Sequence, residues 1–89
     1  MVLEPGTHVV GLRVIARGKN IRDIDRLVHQ YKLPNGALTR ANDWTKMAGF
    51  AVLRDGEDLI YGEIHWYQGK HIGRVEFKLK RELPKMVRW

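Results

Sequence analysis

The sequence predicts an α+β domain: an N-terminal helix packed on a three- to four-stranded antiparallel sheet. Three observations predict it. Residues 20–31 repeat apolar side chains at helical spacing. Residues 47–54 and 59–67 look like strands and flank Asp55-Gly56-Glu57, a favoured hairpin turn. Residues 62–81 alternate apolar and polar side chains on both sides of a glycine-containing turn. At 89 residues, this is one domain with a modest core, about 7–82.

In chain order, residues 1–6 carry little pattern and residues 7–16 are rich in β-branched side chains. A strand is expected there, with a short helix as the competing reading. Asn20 is a good N-cap and Asp23 follows three residues later, close to a capping box. Ile21, Ile24, Leu27, Val28 and Tyr31 then form one stripe, leaving Arg22, Arg26, His29 and Gln30 outside it. Pro34-Asn35-Gly36 ends the helix, and Asn42 or Asp43 can cap a turn before Trp44. Pro84 closes regular structure ahead of a basic tail, 85–89.

The last hairpin organises the chain. Ile60, Ile64 and Trp66 point one way, and Tyr61, Glu63, His65 and Tyr67 the other. Val75, Phe77 and Leu79 are expected to join the apolar side, and Arg74, Glu76, Lys78 and Lys80 the polar side. A two-residue loop at Gly69-Lys70 or a four-residue loop over 69–72 keeps that parity. An odd loop without a bulge breaks it. The helix is expected to cover the apolar face and leave the polar face open.

The net charge is +6 and the pI about 10.0, which favours a polyanionic partner, most simply nucleic acid. The absence of cysteine excludes a disulfide framework, a thiolate zinc site and a cysteine nucleophile. No apolar run approaches the length of a membrane-spanning helix, and no signal peptide is visible. Glycine-rich phosphate loops, GxSxG and HExxH are all missing, and no spacing suggests a metal or other cofactor.

His65 is the first candidate for chemistry, because imidazole exchanges protons near neutral pH. Glu63, two residues earlier on the same face, can tune it. Lys46, Arg74 and Lys78 can neutralise a phosphate beside it. Lys70, His71, Lys80 and Arg81 extend the basic surface, and Tyr67 offers a ring on which a base can stack. For each residue the plainer reading is a solvated surface side chain.

Several stretches also resemble a known group. Asp43-Trp44-Thr45-Lys46, Glu63-Ile64-His65-Trp66-Tyr67 and Ile72-Gly73-Arg74-Val75-Glu76-Phe77-Lys78 are the main ones. With Arg13 to Gly18 and Asn20 to Asp23, they resemble the C-terminal toxin domains of bacterial polymorphic and contact-dependent growth inhibition toxins. The resemblance implies the fold shared by barnase, EndoU nucleases, tRNA-cutting colicins and RelE. It implies a metal-independent ribonuclease, often acting on tRNA, with His65 and Lys46 as first catalytic candidates and Arg74 and Lys78 next. It further implies delivery from a secreted or surface toxin into a target cell's cytoplasm, an acidic immunity protein as partner, and in some cases a translation factor that presents the substrate. A non-catalytic RNA-binding module and a RelE-like mRNA interferase are the alternatives.

Overall fold

Two long strands, β3 (Trp44–Asp55) and β4 (Asp58–Gly69), form a hairpin that the remaining elements decorate. This is a computed structural model, and it describes residues 2–84. The strands pair antiparallel along their whole length, from Trp44 opposite Gly69 to Asp55 opposite Asp58. Gly56 opens the connecting turn at φ 65°, a conformation that costs glycine little. β5 (Gly73–Glu82) adds to the free edge of β4. The other edge of β3 is shared: β1 (Val2–Leu3) pairs Leu53 and Arg54, and β2 (Val10–Arg17) pairs residues between Thr45 and Phe50.

The expected α+β class is therefore corrected. The described residues are 55% strand and 16% helical, a curled antiparallel sheet rather than an N-terminal helix laid on one. The single α-helix among the described residues, α1 (Ile24–Gln30), follows two strands instead of leading them. Its seven residues span only about 10 Å, against about 40 Å for either long strand. It is shorter than its apolar stripe suggests because Gly18–Asn20 is spent on a 3-10 turn, and Ile21 is extended at φ −78°, ψ 127°. Asn20 therefore caps nothing. Asp23 takes the N-cap position, but its carboxylate accepts a hydrogen bond from the Tyr67 hydroxyl (2.9 Å) instead of capping the helix. The expected Pro34-Asn35-Gly36 turn is present, with Gly36 at φ 85°. The basic tail, 85–89, lies outside the described residues.

Both sheet faces carry a core. On one, Ala51, Leu53, Ile64 and Trp66 are buried, with Leu3, Val9, Met47, Ile60 and Leu79 packed around them. On the other, Ile21, Leu27 and Trp44 are buried against Tyr31, Tyr67, Ile72 and Val75. The pairing of Lys46 with Tyr67 and Ala48 with His65 puts this second core on the His65 face. The helix thus covers one end of the face expected to be open, because Trp44 and Tyr67 supply the apolar surface there.

The β4–β5 hairpin has an odd loop with a bulge. Gly69 pairs Gly73 across Lys70-His71-Ile72, with His71 at φ 65°. Between the Tyr67–Val75 and His65–Lys78 pairs, β5 carries one extra residue, and Glu76 sits at φ 60°. The positive φ is costly for a non-glycine side chain. Here the Glu76 carboxylate is held by two hydrogen bonds from Arg26 (2.8 and 3.0 Å) and one from Tyr31 (2.6 Å). The bulge swaps faces: Val75 packs with Tyr67, whereas Phe77 stacks on Trp66 on the opposite side.

Candidate functional site

The bulge and the 18–23 segment frame an open cleft of about 700 Å³ on the His65 face. Its floor is β4, with His65 and Tyr67, beside Lys46 of β3. Asn20, Ile21, Arg22 and Asp23 wall one side, and Glu76, Lys78 and Lys80 of β5 the other. Lys78 lies directly across from His65 in the sheet, and Lys46 across from its neighbour Tyr67. Lys80 is the extra residue of a second register shift, between Leu79 and Arg81, and it too lines the cleft.

The charges there are unequal in a useful way. Asp23 and Glu76 are both engaged: Asp23 by Tyr67 and, at 3.7 Å, Arg26; Glu76 by Arg26 and Tyr31. Hydrogen bonds from Arg26 first, then Tyr31, hold the Glu76 carboxyl below its usual range despite some desolvation. Among the described residues, Arg22, Lys46, Lys78 and Lys80 have no carboxylate partner. Four free cations in one concavity make a site for an extended anion.

Glu63 and His65 come together, but not as isolated groups. Nε2 of His65 lies 3.2 Å from Oε2 of Glu63. The same carboxylate takes a close hydrogen bond from Arg13 of β2 and sits 3.3 Å from Arg81 of β5. It pins three strands, and hydrogen bonds from Arg13 foremost, then His65, hold its carboxyl below the usual carboxylate range. The neutral imidazole then carries its proton on Nε2, donated to Glu63, leaving Nδ1 as the basic nitrogen. Nδ1 is covered and has no partner among the described residues.

Burial lowers the His65 pKa, and Lys80 and Lys46 lower it further; the Glu63 contact raises it but loses the balance. The folded chain therefore favours neutral His65. A depressed folded pKa contributes stability above the unfolded value, about 6.5, that is lost as pH falls through the folded value. An NMR titration of the His65 ring should place its midpoint below that of a free histidine. Glu63→Gln should move it lower still, because the one contact that favours the cation loses its charge. A higher midpoint in the variant would contradict this balance.

The other expected residues divide. Arg74 pairs with Gln68 and stacks over Trp66 (5.4 Å to the ring centroid), on the face opposite His65. The Glu76 bulge is what separates it from Lys78. Arg81 reaches the His65 face but is engaged with Glu63. Lys70 and His71 sit in the exposed loop outside the cleft. Tyr67 lines the cleft without offering a free ring: its hydroxyl is on Asp23 and the Lys46 ammonium is 5.9 Å from the ring centroid. Burial first, and then Asp23, push its pKa up to about 12, so it stays a neutral donor. The sequence reads Asn20 as an N-cap and Arg22 as part of a solvated helix face; their place in the cleft follows from the 3-10 turn, which no helical periodicity reveals.

No group of three or more His, Asp or Glu side chains converges as a metal site among the described residues. No described helix is long and apolar enough to cross a membrane. Comparison with family models, curated proteins and solved structures gave no match, so none of them links the chain to the toxin domains.

Proposed function

We propose that this domain is an endoribonuclease that holds single-stranded RNA, tRNA included, in the cleft and cuts it with its own side chains. The observation that carries the reading is that four cations without carboxylate partners share the cleft with one neutral histidine. In the reaction, the 2′-oxygen attacks the adjacent phosphorus and the 2′-proton passes to His65. The P–O5′ bond breaks, the 5′-oxygen leaves with a proton from solvent, and a 2′,3′-cyclic phosphate remains. Lys46, Lys78 and Lys80 neutralise charge on the phosphoryl oxygens in the transition state. His65 can take the proton only if its ring turns to bring Nδ1 into the cleft, since Nε2 already carries a proton and Nδ1 is covered.

Use as a toxin in competition between bacteria is the biological setting that the sequence motifs suggest. A protein protecting the producing cell would then cover this cleft with acidic side chains. A second reading, a non-catalytic RNA-binding module, is favoured by the covered Nδ1. The two separate in one assay. Total tRNA incubated with the protein in EDTA should acquire cyclic-phosphate ends. Retention of RNA with no new ends would leave only the binding module, and neither binding nor cutting would overturn both.

A further inference from the structure

Beyond the cleft lies an apolar hollow of about 330 Å³ on the opposite sheet face, lined by Leu53, Ile64, Phe77 and Leu79. Phe77 alternates with Val75 and Leu79 in the sequence and looks like core. It does stack on Trp66 (5.4 Å between centroids, 28° between planes), but on the edge strand, where it is 39% exposed. Lys78 follows it directly and lines both the hollow and the cleft. The two concavities are therefore continuous over the β5 edge through a cation.

We propose that the hollow is a second subsite for the same RNA, taking the unpaired base next to the nucleotide in the cleft. This rests on the RNA reading above. A phosphate on Lys78 would straddle the edge, with one nucleoside on the His65 face and its neighbour's base stacked on Phe77. Stacking on an aromatic ring tolerates any base, and β5 is an edge strand, so no backbone pairing is lost. The subsite gives grip without sequence choice. It also needs an RNA able to wrap the edge, which a base-paired helix cannot do.

The probe is 2′-O-methyl octauridylate, which lacks the attacking hydroxyl and stays intact. Binding is measured by fluorescence anisotropy, with an abasic unit placed at each position in turn. The wild type should lose about 5- to 150-fold in affinity at one position because of this contact. Phe77→Leu, which keeps an apolar group but no π face, should abolish that penalty, while Phe77→Tyr should retain it. Lys46→Ala should weaken all oligonucleotides alike. Near-ultraviolet circular dichroism checks that each variant is folded. Unchanged binding and an unchanged abasic profile in Phe77→Leu would overturn the subsite and leave the RNA reading standing. A changed oligomeric state of RNA-free Phe77→Leu, with RNA binding unaltered, would assign the hollow to contacts between copies and overturn it too. No binding of the probe or of tRNA by the wild type would remove the RNA reading and the subsite together.

Discussion

His65→Ala should lose about 10²- to 10⁴-fold in tRNA cleavage, the range ascribed to a positioned proton-transfer group, with RNA affinity changed by no more than a few-fold. The split follows from how labour divides in the cleft. On the proposed function, affinity comes from Arg22, Lys46, Lys78 and Lys80, which the substitution leaves in place. Proton transfer has one candidate on the floor, and the Tyr67 hydroxyl beside it is committed to Asp23. His65→Ala removes a ring whose side chain is 17% exposed, so some stability is lost and folding must be checked alongside. His65→Gln is the companion variant: it fills more of the space, offers hydrogen bonds, and still lacks a titratable base. Both should bind and neither should cut. Full cutting by a folded His65→Gln would remove His65 from the reaction.

Trp44→Ala should cost about 3–5 kcal/mol, read as a lower urea midpoint. That is a large share of the about 5–15 kcal/mol that holds a small domain together. Trp44 is fully buried at the centre of the core that fastens α1 to the sheet. It packs tilted against Tyr31, with ring centroids 5.5 Å apart. Its Nε1 donates to the buried Thr39 hydroxyl at 2.9 Å, so truncation leaves both a cavity and a weakened polar group. Trp44→Phe should cost less, since it refills most of the cavity. The consequence reaches the cleft: the 18–23 wall docks through Ile21 in this same core. A folded Trp44→Ala with an unchanged midpoint would show that this core does not hold the wall.

Much of the sheet is legible in the sequence, and the reasons are local. Two strand-like runs, 47–54 and 59–67, with Asp55-Gly56 between, specify a hairpin, and β3 and β4 extend it only at their ends. The sequence overstates the helix because Ile21 has the spacing of a helical stripe yet reaches the core from an extended backbone. The sequence hides the covered face because Tyr67 reads as a polar-side ring, whereas its body packs under the helix and only its hydroxyl is engaged by a polar group. The Glu76 bulge rests on Arg26 and Tyr31, 50 and 45 residues away, so no window of sequence contains its cause. The three-residue loop puts Arg74 on the Trp66 face and Val75 under the helix, and the bulge then returns Phe77, Lys78 and Leu79 to the faces their alternation predicts. Glu63 beside His65 was visible from spacing, but its tie to Arg13 crosses 50 residues and was not.

The central claim is that RNA lies on the His65 side of the sheet, across β3, β4 and β5. An NMR titration of isotope-labelled protein with 2′-O-methyl octauridylate tests it most directly. Signals of Arg22, Lys46, His65, Lys78 and Lys80 should move together and saturate at one affinity. Shifts confined to the 70–72 loop, or none at concentrations where tRNA is retained, would contradict the account.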